Sequence, residues 1–295
     1  MPLSENTRGR QARNTICSWL SGIHAWHVIN HAPWFGDDKW VQLAWVFVNI
    51  EGTKHEHPLC TPISIEHLLA LHHTLNLSTP FHAAVWALAL CTFLGCQWLG
   101  ELTVTTAAAF DERYHVLHSV MITFHMLQDS SSSANFHIPW TKTTKELSAS
   151  VILTARNNIL CPVTALKNHL SIDSSNNKST SLFAYTTTSS QSKILLKHEF
   201  LNFCNHIWLS TMLTHVLGHS FCIGGAVKLL LAGVPPEIVA ATGGWTSLTF
   251  LLYWHHMEEI LPMSTSKAYN KSHIDSLATI FEQLKQNPVC AYHHL

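Results

Sequence analysis

The chain has 295 residues, 47% of them apolar and 12% charged, with a formal net charge of −1. That balance excludes a disordered chain and gives little general attraction for phosphate, which is held by Lys and Arg. One full domain and a smaller piece are expected at this length.

Residues 1–14 are polar, carry Arg8, Arg10 and Arg13, and read as a flexible tail able to touch phosphate. From Thr15, the positions of Ile16, Trp19, Leu20, Ile23, Trp26 and His27 predict a helix, and 38–50 predicts a second. Pro33 and Gly36 break the two apart, and 58–62, with a proline at each end, reads as a linker. Ser64 is placed to cap a helix through Leu75, with Glu66 in its first turn. Pro80 opens a long apolar helix predicted to end near Trp98. Its run 83–96 is too short to span a bilayer, so a buried helix and no membrane partner are expected.

Between Leu102 and Leu153 the period shortens. Strands are predicted at Val104, 114–117, 121–124, 136–138 and 151–153, with polar turns at Asp111–Glu112 and 130–133. Pro162 starts a helix through Leu170, and 171–192 reads as a Ser/Asn/Thr-rich loop. Helical period returns at 198–209, 219–231, 236–242 and 247–256. This order predicts a mainly α chain with a small antiparallel β-sheet, an α+β fold.

Rare residue types are unevenly used. Five arginines (Arg8, Arg10, Arg13, Arg113 and Arg156) stand against 23 His, 11 Trp and 8 Cys. The histidines are spread along the whole chain rather than set at ligand spacing, so no metal is expected. Most arginine codons begin with CG, and C-to-T change there yields Cys, Trp, His or Gln. The surplus therefore reads as lost arginines. The cysteines form no Cys-x-x-Cys pair and no signal peptide is recognised, which predicts reduced thiols in an intracellular protein.

Four ordered blocks carry a resemblance. The run GHSFCIGGAVKLLLAGVPPEIVAATGGWTSLTFLLY, 218–253, resembles the second catalytic block of tyrosine recombinases, the phage-integrase-like DNA breaking-rejoining enzymes. His219, Trp245 and Tyr253 fall at family positions, and Cys222 stands where a phosphate-gripping arginine belongs. The stretch GCQWLGELTV, 95–104, resembles the first block, with Trp98 at its arginine and Glu101 at that residue's partner. IPWTKTTKE, 138–146, resembles the β-hairpin carrying the catalytic lysine, with Lys142 the first choice and Lys145 the second. The end FLLYWHHMEEILP is similar to the crypton-like branch of mobile-element recombinases.

The resemblance implies a flexible tail at 1–14, a truncated helical core-binding domain at 15–57, a catalytic domain at 58–270, and a C-terminal helix and tail at 271–295. It implies double-stranded DNA as substrate, acting in the nucleus without metal, nucleotide or other small-molecule cofactor. Tyr253 would attack a phosphodiester, giving a 3′-phosphotyrosyl link, and Lys142 would protonate the leaving oxygen. His219 and Trp245 would donate to the phosphate, while Glu101 orients its neighbours. Lys145, Arg8, Arg10 and Arg13 would contact DNA. Assembly would be a tetramer on DNA through the C-terminal helix, for which 272–285 offers Ile274, Leu277, Ile280, Phe281 and Leu284 on one face.

With Trp98 and Cys222 replacing both guanidinium forks, strand cleavage is expected to be impaired. Each residue also has a plainer reading. His219 could be a helix cap, Cys222 a small buried hydrophobe, Trp245 and Tyr253 core packing, and the lysines solvated charges. Two other functions stay open: a non-enzymatic DNA-binding relic, and a helical protein with no remaining DNA role.

Overall fold

A computed structural model describes residues 13–53, 60–126, 132–141, 144–145, 148–172, 179–245 and 279. The chain divides between Leu59 and Cys60 into two compact units.

In the first unit, α1 (Arg13–Ile29) packs against α2 (Lys39–Thr53). The break predicted between them is a tied turn. His31 takes a left-handed φ of 50° just beyond α1, and the Ala32 N–H donates to the His27 carbonyl at 2.9 Å. The Trp34 ring folds back to 4.5 Å from His24 and 5.5 Å from His27, and Gln42 donates to the Gly36 carbonyl at 2.6 Å.

The second unit is α+β. Its elements run α3 (Ile65–Thr74), α4 (Pro80–Leu94), α5 (Leu99–Leu102), β1 (Thr123–Met126), β2 (Ser132–Ile138), β3 (Ala149–Thr154) and α6 (Pro162–Ile172). They continue with β4 (Tyr185–Thr186), β5 (Ser192–Lys193), α7 (Lys197–Ser210), α8 (Ser220–Leu231) and α9 (Pro236–Thr242). The helix α4 is apolar on every side and is therefore wrapped on every side. All residues from Ala83 to Phe93 are buried, against α6 and α8 chiefly and α3, α5 and β4 besides. Its one hydroxyl in that stretch, Thr92, is satisfied within the helix by the Leu88 and Ala89 carbonyls at 2.7 and 3.0 Å.

Two glycines set how close α8 comes to this core. A Cβ at Gly224 would lie 2.1 Å from the Ile63 carbonyl oxygen, and one at Gly225 1.8 Å from that of Phe93. Backbone thus meets backbone, and the Ile63 N–H donates to the Ser220 carbonyl at 2.9 Å. On the far side of α3, the buried Trp208 of α7 donates its indole N–H to the His67 carbonyl at 2.7 Å, with the His67 ring edge-on at 5.3 Å.

The sheet is antiparallel in the order β1-β2-β3, with Phe136 opposite Val151 and Ile138 opposite Ala149. From Ala134 onward the strands alternate: Ala134, Phe136, Ile138, Val151 and Leu153 are buried, while His137 and Ile152 face outward; Ser133 is buried as well.

Several boundaries differ from expectation. The long apolar helix stops at Leu94, because Gly95 caps it and Cys96 turns left-handed (φ 52°) to bury its thiol. The first strand lies at Thr123–Met126, not 121–124, and the 114–117 strand reduces to a bridge between Leu117 and Ser181. Val104 makes a single parallel bridge to Leu196. Ser132 and Ser133 belong to β2, where a turn was expected. The supposed loop 171–192 holds the end of α6 and the buried run Leu182, Phe183, Ala184 and Tyr185. The predicted helices 247–256 and 272–285 lie outside the described residues, except for Thr279. Among the described residues no helix is long and apolar enough to cross a membrane.

Candidate functional site

Chain segments far apart in sequence meet at a cleft of about 320 Å³ in the second unit, lined by Trp98, Leu99, Gly100, Glu101, Trp140, Lys197, Gly218 and His219. The turn after α4 delivers the first wall. Trp98 is the N-cap of α5 in extended conformation, and the Glu101 N–H donates to the Trp98 carbonyl at 2.9 Å. His219 occupies the corresponding place at the start of α8, its carbonyl accepting from the Ile223 N–H at 3.1 Å. The Trp98 and His219 rings meet at 6.3 Å, inclined by 69°.

Cys222 lies one turn into α8 and is 2% exposed. Its thiol donates to the His219 carbonyl at 3.2 Å. Trp98, Trp245 and Cys60 pack on the small cluster that Cys222 forms with Ile223 and Val227. Burial pushes the Cys222 thiol up to about 12, with the Glu101 charge adding to the effect. The group is thus neutral at ordinary pH and serves as packing and a weak donor, not as a nucleophile or an anion grip.

Trp245 is brought back onto α8 by two glycines. Gly244 has φ +65°, the left-handed conformation that ends helices, and a Cβ on Gly243 would fall 2.5 Å from the indole ring. The Trp245 N–H completes the cap by donating to the Ala240 carbonyl at 2.9 Å. Gln97 holds this end in place. Its buried amide nitrogen donates to the Gly95 carbonyl at 2.6 Å and to the Thr242 carbonyl at 2.9 Å, latching the turn before Trp98 to the end of α9.

The opposite rim comes from the segment between β2 and β3. Thr141 and Lys145 exchange backbone hydrogen bonds of 3.4 and 3.0 Å across a tight turn, with Lys145 at φ +54°. The Lys145 ammonium sits 5.0 Å over the Trp140 ring, a cation–π contact at the edge of the cleft. Tyr114 meets the same ring edge-on at 6.2 Å.

Sequence reasoning missed Lys197 and Gln97. Lys197 is the first residue of α7, and its Cε would be 2.9 Å from a Cβ on Gly218, so the stem crosses Gly218 only because no side chain stands there. No local spacing distinguishes Lys197 from a solvated lysine, and Gln97 falls in the last turn of the helix expected to run to near Trp98.

The structure therefore brings Trp98, Glu101, His219, Cys222 and Trp245 into one neighbourhood and sets Lys145 at its rim. Tyr253, Lys142, Arg8 and Arg10 lie outside the described residues, and Arg13 begins α1 in the other unit. Among the described residues no arginine lines the cleft, and no group of His, Cys, Asp and Glu is arranged to hold a metal. Among the described residues the cleft's lining includes one ammonium, Lys197, with a second, Lys145, over Trp140 at the rim.

No family model matches the chain, and no curated protein does. Solved structures with some likeness include a Flpe–Holliday junction complex, at 14% identity and TM-score 0.41, covering 62% of this chain and 43% of that one. XerH recombinase bound to a palindromic difH substrate is similar at 15% identity and TM-score 0.43, covering 76% and 54%. XerA recombinase is similar at 11% identity and TM-score 0.45, covering 88% and 84%. The chain thus spans about half or less of the first two proteins. At these values any assignment rests on the residues of the cleft.

Proposed function

We propose that the second unit is a tyrosine recombinase-like DNA-binding module whose cleft receives a backbone phosphate, with strand cleavage impaired by the missing guanidiniums. One observation carries the reading: Trp98 and Glu101 of the first block and His219, Cys222 and Trp245 of the second lie together around a cleft with a lysine in its wall. Independent core packing would not require these five positions, in blocks more than a hundred residues apart in the chain, to meet at one place.

In this reading Tyr253 is the nucleophile and Lys142 the proton donor to the leaving oxygen. His219 and Trp245 donate to the non-bridging oxygens, and Glu101 orients them. The transition state gathers charge on those oxygens, which paired guanidinium bonds would answer. Trp98 and Cys222 cannot, since one offers a single indole N–H and the other a neutral thiol. Loss of one such donor costs about 10²–10³ in rate, and an arginine on phosphoryl charge about 10³–10⁵. DNA binding should outlast cleavage. Descent from a crypton-like mobile element, work in the nucleus, a tetramer on DNA built through 271–295, and phosphate contacts from Arg8, Arg10 and Arg13 belong to the same reading.

Two measurements test it. Binding to duplex DNA should weaken with salt as condensed counterions are released, and Lys197→Ala should lower the log–log salt slope by about one. Salt-insensitive or absent binding would leave the helical protein without a DNA role. A denaturation-resistant adduct on a nicked suicide substrate should be barely detectable in the parent and absent in Tyr253→Phe. A robust adduct would refute the impairment.

A further inference from the structure

The first unit half-buries one stripe of each helix and leaves another in solvent. On α2, Trp40, Leu43, Phe47 and Ile50 fall at intervals of three, four and three, the spacing of a helix-packing seam, and are 59–69% exposed. On α1, Trp19, Ile23 and Trp26 repeat the same rhythm and are about half exposed. Between the helices an apolar groove of about 380 Å³ remains, with Leu20, Trp34, Trp45 and Val48 in its walls. Eleven large apolar side chains of residues 19–50 are at least 48% exposed. With five of them aromatic, they present on the order of 1,000 Å² of apolar surface. Summed over both helices and the turn, that total is of the order of the ~800 Å² per partner of a stable interface, against roughly 300–600 Å² for the largest single patch of a monomer.

We infer that this hairpin is a self-association surface, its exposed stripes packing on those of a second copy to form a four-helix bundle. Three features select that occupant. Seam spacing calls for a helix, and a second copy supplies helices with the matching rhythm. A two-fold axis lets one patch serve both sides, so no further sequence is required. Charge disfavours the alternatives: residues 13–53 carry Arg13 at the start of α1, Asp37, Asp38, Lys39 and Glu51 and no other full charge. The stripes themselves are uncharged, so they have nothing to repel a copy, and the hairpin's three carboxylates outnumber its two cations, a poor match for phosphate or anionic headgroups. The groove between α1 and α2 offers a hole for a partner's aromatic knob. This assembly does not depend on the cleft, on DNA or on the C-terminal helix.

Sedimentation velocity on the full chain without DNA tests it. The parent should be a dimer at micromolar concentration. Leu43→Glu with Phe47→Glu should weaken that dimer by at least about tenfold while far-UV circular dichroism keeps its helical signal. Ile152→Glu, which alters an exposed apolar residue of β3, should leave it intact. A parent that stays monomeric overturns the inference whatever the variants do. So does a dimer that Ile152→Glu dissolves equally, or a monomer that floats with phosphatidylcholine or phosphatidylserine vesicles.

Discussion

Helix α4 and the α1–α2 hairpin are written in nearly the same alphabet and meet opposite fates. Both carry many large apolar side chains and few charges, although α1 also holds several polar residues. In α4 every residue from Ala83 to Phe93 is covered by α3, α6, α8 and β4, whereas Trp40 and Phe47 of α2 stand 69% and 65% exposed. Composition sets the demand for burial, and neighbours decide whether it is met. The second unit wraps α4 from Ala83 to Phe93, whereas the first leaves an apolar stripe of each of its helices in solvent.

The strongest way to break the second unit is to place a charge where its packing is tightest. Cys222→Arg alone should cost about 3–5 kcal/mol in a denaturant titration, since the guanidinium would be forced into the packed site beneath Trp98 and Trp245, with the Glu101 carboxylate offsetting only part of its charge. Adding Trp98→Arg opens that lid to the cleft, so the double variant should lose less than the sum of the singles. If the double is also the better former of the tyrosyl adduct, the two sites are the lost grips. Additive losses would mean that Trp98 and Cys222 do not interact.

A pair of glycine substitutions sharpens the contrast. Gly225→Ala forces a methyl group against the Phe93 carbonyl and should destabilise the second unit by about 3 kcal/mol. Gly22→Ala, in the middle of α1 with nothing within 4 Å, should stabilise the hairpin by roughly 0.5–1 kcal/mol. Thermal melts read both, and equal responses would contradict the difference in packing.

The smallest effect concerns His67, which burial holds below its ordinary pKa against opposing influences from Thr214 and Glu66. Above about pH 6.5 the ring is neutral in both folded and unfolded chains. As pH falls through that range the unfolded chain takes up its proton first, so stability declines. His67→Gln should flatten that part of the pH profile, and an unchanged profile would assign the slope to other histidines.

Local pattern made the start of α4, the cap at Ser64, the helices α7 and α8, and the inward alternation of β2 and β3 legible. Each is fixed by residues within a turn or a strand of one another. The block order also made it legible that Trp98, His219, Cys222 and Trp245 would be neighbours. What stayed hidden depends on distant parts. Leu182 to Tyr185 are buried inside a stretch whose Ser and Thr content reads as loop, because β4 borrows its cover from α4. Lys197 enters the cleft through a gap at Gly218, twenty-one residues on, and α4 stops early because Cys96 finds its pocket among Ala226, Leu230 and Val239.

The Gln97 latch joins carbonyl and amide across 145 positions of chain. One wall of the cleft is therefore tied to a part of the chain that does not line it. A fragment ending between His219 and Thr242 would keep every lining residue yet lose this tether on the turn before Trp98.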